Sequence, residues 1–328
     1  MSLRQRAGAL IYDWPRFALQ MRRGRWVEVR NRDETITTDA RGVRCEWRFS
    51  SDLHIAKVFP PAGERLMRAA LRDWPVVERD AAPAAAAHPE ASFIIGHRGI
   101  SRLPHLLRTL RSIAGQSGAA IECIVVEQSA IPEIESTLPH WVRYIHTPTP
   151  SPSFEYARAW AFNVGARIAR APLLILQDND LVVPERYAAE AVARAKEGWS
   201  FLDLKRFVFY LDANGALERI AQNLQGGTVI AARDVYFAIG GFDESFVGWG
   251  GEDNDFRERA EAHGGVYGFG YLPFVHLFHE PQQGKLEGDA APAVRRYREI
   301  EHVPATERIA RLRAREIGNP NAPPTPET

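Results

Sequence analysis

The sequence contains no apolar run near the roughly 20 residues that a membrane-spanning helix needs. Its N-terminus lacks the continuous hydrophobic core of a secretion signal. Cysteine is scarce: Cys45 and Cys123 are the only two in 328 residues, far apart and without CxxC or zinc spacing. That excludes a disulfide framework and a cysteine-based zinc site. Both read as reduced thiols, Cys123 as a small core residue inside an apolar run. Net charge is missing as well, since 41 basic side chains balance 41 acidic ones, and this argues against a nucleic-acid surface. What is present, 45% hydrophobic and 25% charged residues, suits one large globular domain with an appendage, or two domains. A cytoplasmic protein is expected, with the inner face of a membrane as the alternative home. Gly8 to Arg30 mixes aromatics (Trp14, Phe17, Trp26) with arginines (Arg22, Arg23, Arg25). A solvated basic edge is the preferred reading of that segment, and membrane contact the alternative.

One break divides the chain. "DAAPAAAAHPE", Asp80 to Glu90, is alanine and proline without periodicity and reads as a linker at 81–90. Residues 1–80 before it show short alternations, "RCEWRFSS" and "LHIAKVF", and a helix from Gly63 to Arg72. They predict a small α+β appendage without chemistry of its own. Residues 91–304 form the main domain. Residues 305–328 end a helix and run into the proline-rich "GNPNAPPTPET", expected to be disordered.

The main domain alternates strand and helix. "SFIIG", "IECIVVE", "WVRYIH" and the wholly apolar "PLLILQ" read as strands, the last buried on both faces of a parallel sheet. Leu103, Leu106, Leu107, Leu110 and Ile113 share one face of a helix after the first strand. Ser153 is placed to cap a helix through "FEYARAWAFNVGARIARA". The pattern predicts an α/β fold, doubly wound and mostly parallel, with ligands at the carboxyl ends of the strands.

Three stretches carry candidate chemistry. "PLLILQ" runs into Asp178-Asn179-Asp180, where two carboxylates at a strand end can face a hard divalent cation or divide between a cation and a ribose hydroxyl. Taken alone, the triplet reads first as a plain turn. "FDESFVGWGGEDND" sets Trp249, Gly250 and Gly251 before Glu252, Asp253 and Asp255 at the start of a helix. Capping accounts for the acids, but not for a glycine pair beside an indole, so a functional loop is preferred. "VHLFHE" carries His276 and His279. Imidazole is a common metal ligand, yet residues three apart on a regular strand face opposite sides, so both reach one ion only if the backbone turns. Asp178, Asp180, Asp253 and His279 are expected to converge, with a cation on Asp180 and His279 able to neutralise a diphosphate. A separate carboxylate across the crevice could then take a hydroxyl proton.

In this order the motifs resemble nucleotide-sugar-dependent glycosyltransferases of the GT-A fold, and more closely the β-1,4-galactosyltransferase type, marked by W-G-G-E-D. Here that is Trp249 to Asp253, with Asn254 where animal members usually carry a further Asp. "RAWAFNVGARIA" is similar to the family's N-V-G helix, "LQDNDLVVP" to its D-x-D strand end, and "QGGTVIAARDVYFAIGGFDESFVGWGGED" to its long ordered segment. The likeness covers most of Ala91 to about Glu280 and leaves residues 1–80 outside.

The resemblance implies a metal-dependent, inverting hexosyltransferase that uses a UDP-sugar and Mn2+ or Mg2+. It implies Asp253 as general base and Asp180, His279 and His276 as metal ligands, His276 standing where the family often has methionine. Arg98, Glu127, Asn163, Asp178, Gly226, Gly227, Trp249, Gly250, Gly251 and Glu252 would then bind donor or acceptor: Arg98 and Glu127 the nucleotide, Asp178 its ribose, Trp249 the sugar. Leu224, two residues before the Gly226-Gly227 pair, takes the place of a large aromatic in many galactose-transferring relatives. That keeps Gal, GalNAc and GlcNAc all open. The implied partners are the nucleotide-sugar and a glycan acceptor, a surface polysaccharide or lipid-linked oligosaccharide, with a peripheral membrane contact as a further option. Two other readings stand beside it: a retaining enzyme like the polypeptide N-acetylgalactosaminyltransferases, and a non-catalytic sugar-nucleotide-binding module.

Overall fold

A computed structural model describes residues 3–46, 50–81, 87–151, 153–280 and 288–324. It is a mixed α/β structure built on two sheets. The larger has six strands, in the order Val142–Pro148, Ile121–Ser129, Ala91–His97, Leu173–Gln177, Thr228–Ala232 and Phe201–Leu202. The first four run parallel, and the last two pairings are antiparallel. All four parallel strands expected from the sequence are therefore present.

Successive side chains of a strand point to opposite faces, and here each face meets a helix. Phe93, Ile95, Cys123 and Val125 pack with Leu106, Leu110 and Ile113 of the helix Leu103–Ala114. Ile94, Ile124 and Val126 pack with Trp160, Phe162 and Val164 of the helix Arg158–Ile168. Helices on both faces account for the continuous apolar strands, because neither face meets water. No helix among the described residues is long and apolar enough to cross a membrane.

The second sheet has five strands, ordered Ser51–Asp52, Leu217–Gln222, Lys205–Leu211, Leu272–His276 and Leu181–Val182. The N-terminal segment lies on it. Ser51 and Asp52 pair with Gln222 and Ala221, and Phe17, Trp26, Leu53 and Leu66 share a core with Phe207, Phe209 and Ile220.

Three local expectations differ from the structure. "LHIAKVF" is not a strand: His54–Val58 is helical, its start held by the His54 amide donating to Asn31 Oδ1 at 2.7 Å. The helix expected from Ser153 begins only at Arg158. The preceding residue is pinned instead by Gln128, whose amide group bonds Ala157 N and O at 3.0 and 2.7 Å. The tail expected to be disordered starts anchored, since Gly318 N donates to Glu244 Oε1 and Asn319 O accepts from Trp160 Nε1 at 2.8 Å. Part of the linker (82–86) and the last four residues lie outside the described residues.

Candidate active site

The buried strand Leu173–Gln177 delivers Asp178, Asn179 and Asp180 to the end of the large sheet. Beside it, Gly227 O accepts the Asp178 amide at 2.9 Å, so Gly226 and Gly227 lie against the acidic triplet. The chain from Phe242 then leads to the helix Glu252–His263, whose first turn carries Glu252, Asp253 and Asp255. Gly248, Gly250 and Gly251 all have φ near +90°, a backbone region that side chains resist. This lets the loop turn sharply on either side of Trp249, which is 48% exposed.

Arg158 holds the acids together. Its Nε donates to Asp178 Oδ1 at 2.6 Å, and its Nη1 to Asp253 Oδ1 at 2.7 Å and Glu252 Oε1 at 3.3 Å. The guanidinium is buried, with its carbon 4.6 Å from the Phe162 ring centre. Burial and the neighbouring Asp253 push the Glu252 carboxyl up to about 7, against the pull of Arg158. Arg158 Nη2 and Glu252 Oε2 are buried without a hydrogen-bond partner among the described residues. Such groups are costly unless something polar reaches them, so they suit a hydroxyl-rich ligand.

Asp180 faces the second sheet. His276 ends the strand Leu272–His276, after which the chain leaves the strand and Leu277 N bonds Asp180 O at 2.9 Å. This turn brings both histidines to one carboxylate: His276 Nε2 lies 3.7 Å from Asp180 Oδ1, and His279 Nε2 lies 3.5 Å from Oδ2. One ligand atom from each of the three falls within 4.8 Å of the others. Burial holds both imidazoles below their ordinary pKa, so at neutral pH they are uncharged. These contacts are therefore not ion pairs. His279 Nδ1 is engaged with Glu280 O at 3.0 Å, which directs the Nε2 lone pair to the cluster.

Three electron-pair donors converging on one point fit a divalent cation. The charge balance agrees: even with Glu252 protonated, Asp178, Asp180 and Asp253 outnumber Arg158 and Arg102 by one. Arg102 is the remaining partner of Asp180, at 2.9 Å. Added positive charge would favour an anionic ligand in this crevice.

Asp178, Asp180, Gly226, Gly227, Glu252, Asp253, His276 and His279 thus come together, with Trp249, Gly250 and Gly251 on the adjoining loop. Asn163 and Glu127 do other work in this structure. Asn163 is fully buried and spends its amide on Phe242 N and O, Glu244 and Tyr236, tying down the chain that leads to Trp249. Glu127 is fully buried and accepts from Tyr144, Ser129 and the amides of Glu133 and Ile134. Arg98 is half-buried and donates to Phe154 O. Sequence reasoning missed Arg158, Arg102 and His97, whose Nδ1 lies 2.9 Å from Asn179 Nδ2. No local signal pointed to Arg158, because its carboxylate partners lie 20 to 95 positions away.

Residues 216–280 match the family model of the N-terminal domain of galactosyltransferase. This stretch runs through Gly226, Trp249, Asp253 and His279, the half of the site that faces the acidic triplet. Two curated relatives, β-1,4-galactosyltransferase 4 of Rattus norvegicus and of Cricetulus griseus, are each 45% identical to this chain over 38 residues. The aligned stretch is 12% of this chain and 11% of either relative, so the likeness spans about a tenth of their length. A solved structure of GalNAc-T7 with UDP, GalNAc and Mn2+ superposes with a TM-score of 0.46 at 15% identity, covering 65% of this chain and 48% of that one.

Proposed function

We propose that this chain is a metal-dependent, inverting hexosyltransferase. It moves Gal, GalNAc or GlcNAc from a UDP-sugar to a hydroxyl of a glycan. The observation that carries the reading is the adjacency of two groups, the Arg158-linked carboxylates and the Asp180/His276/His279 cluster, to which the galactosyltransferase-like stretch 216–280 contributes Glu252, Asp253, His276 and His279.

A divalent cation such as Mn2+, held by Asp180, His276 and His279, would supply Lewis-acid stabilisation of the departing diphosphate. The chain's own residues do the rest. Arg158 occupies Asp253 Oδ1, which leaves Oδ2 to take the acceptor proton. The acceptor oxygen then bonds to the anomeric carbon as the bond to UDP breaks, from the opposite face. Glu252 and Asp178, fixed by the same guanidinium, meet sugar or ribose hydroxyls. Trp249 covers the sugar from the glycine-flanked loop. Leu224, half-buried beside Gly227, leaves room that a larger aromatic would fill.

The test is turnover. Purified chain, Mn2+ and an oligosaccharide panel are offered UDP-Gal, UDP-GalNAc and UDP-GlcNAc, and UDP release and product are followed. Acceptor-dependent transfer from at least one donor is expected. Tight UDP binding with no transfer across the panel would favour the binding-module reading instead.

A further inference from the structure

The helical segment Leu3–Arg22 presents an apolar surface that the site does not use. Leu3, Leu10, Ile11, Tyr12, Trp14 and Leu19 are exposed, between 36% and 86%. Phe59 joins them, 40% exposed and edge-on to Trp14 at 5.3 Å between ring centres. These are seven of the ten exposed large hydrophobics among the described residues. The side toward the body is carried by Ala9, Asp13 and Phe17, spaced four apart, and the exposed apolar residues spread over the rest of the segment's surface. The fringe is cationic. Arg4, Arg6, Arg16, Arg22 and Arg23 are all exposed, and none has an ion-pair partner among the described residues. The only carboxylate from Leu3 to Val27 is Asp13, which is buried and bonded to Arg32.

We infer that this face docks the protein on an anionic lipid surface. A helix with exposed aromatic and aliphatic side chains and arginines of one sign is built to lie in a bilayer interface. The apolar residues enter the headgroup boundary, while the arginines meet lipid phosphates. The whole chain carries no net charge, so the local excess is a property of this segment. It also argues against a second copy as the occupant, because a symmetric pairing would set five arginines against five arginines.

Full-length protein is sedimented with vesicles of 30% phosphatidylglycerol and 70% phosphatidylcholine, and with phosphatidylcholine alone. At 0.1 M NaCl we expect binding to the first and not the second, with release at 0.5 M. Leu10→Ser with Ile11→Ser, and separately Arg22→Glu with Arg23→Glu, should each weaken binding by about tenfold or more. Far-UV circular dichroism and thermal unfolding should stay as in the parent. No sedimentation with anionic vesicles overturns the inference, as does binding that neither variant changes. A dimer seen by light scattering that both variants dissolve, with vesicles ignored, assigns the face to a second copy and overturns it too.

Discussion

Arg158 Nη1 and Asp253 Oδ1 lie 2.7 Å apart, and that contact joins the helix under the large sheet to the first turn of the helix after the Trp249 loop. The same guanidinium reaches Asp178 and Glu252. One buried cation thus sets the mutual placement of three carboxylates from two distant parts of the chain.

Removing that cation should cost stability before it costs anything else. Arg158→Ala leaves buried Glu252 and partly buried Asp178 and Asp253 without their cation; losing one partner of a fully buried pair costs about 3–5 kcal/mol, and the partial exposure of the two aspartates lowers the cost here. Urea unfolding at pH 8 measures it. A loss under about 1 kcal/mol would mean that the acids find other partners. Arg158→Lys keeps the charge but cannot bridge three acids with a planar fork, so turnover should fall even where the fold survives.

The proposed base is tested by Asp253→Asn. General-base help is typically worth about 10²–10⁴ in rate, so kcat should drop by at least the lower figure while UDP affinity by calorimetry is kept. Near-normal turnover would remove Asp253 from that role. Retained configuration in the first-formed product, read by proton NMR, would turn the mechanism to the retaining class.

Metal dependence is checked without turnover. His279→Ala and His276→Ala should each weaken Mn2+ binding, followed directly by electron paramagnetic resonance. The gain in UDP affinity on adding Mn2+ should shrink with it. Losing a residue that only orients a metal ligand typically costs about 10–100-fold in affinity, and loss of a ligand itself should exceed that. An unchanged Mn2+ spectrum in both variants would reject the cluster as a cation site.

Glu252 gives a pH prediction with a definite sign. Burial and Asp253 raise its carboxyl from 4.5 to about 7. The folded state therefore holds the proton more tightly than the unfolded chain. That contribution is complete below about pH 4.5 and is lost as pH rises toward 7. Glu252→Gln is neutral throughout, so its Tm should exceed the parent's at pH 8 and approach it at pH 5. An equal gap at both pH values would mean that Glu252 does not titrate in this window.

The sheet was legible because a strand buried on both faces has a wholly apolar sequence, as "PLLILQ" does, and because the helix at Leu103 repeats at 3.6. The Asp178–Asp180 triplet and the Trp249 loop were legible because glycines and acids cluster at the ends of those elements. Local pattern failed where distant residues decide. Gln128, nearly 30 positions away, pins Ala157 and delays the helix start. The ion pairs of Arg158 span 20 to 95 positions, and no window of sequence contains them. His276 and His279 were undecidable by strand periodicity, since their convergence depends on Leu277 bonding to Asp180 across the sheet.

Gly226 offers the narrowest test of the geometry around the proposed base. A Cβ built there would lie 2.6 Å from Asp253 Oδ2, the oxygen that Arg158 does not hold. A methyl group cannot share that space, so either the carboxylate swings off its arginine or the Gly226 backbone retreats. Because φ at Gly226 is not positive, Ala brings no conformational strain of its own, unlike at the neighbouring Gly227 with φ +86°. Gly226→Ala should therefore fold with a Tm near the parent's and still bind Mn2+. Its kcat should fall by at least about tenfold, since small displacements of a reacting group are costly. If kcat is unchanged while the structure shows Asp253 displaced, the position of that carboxylate does not govern the reaction, and the proposed base lies elsewhere.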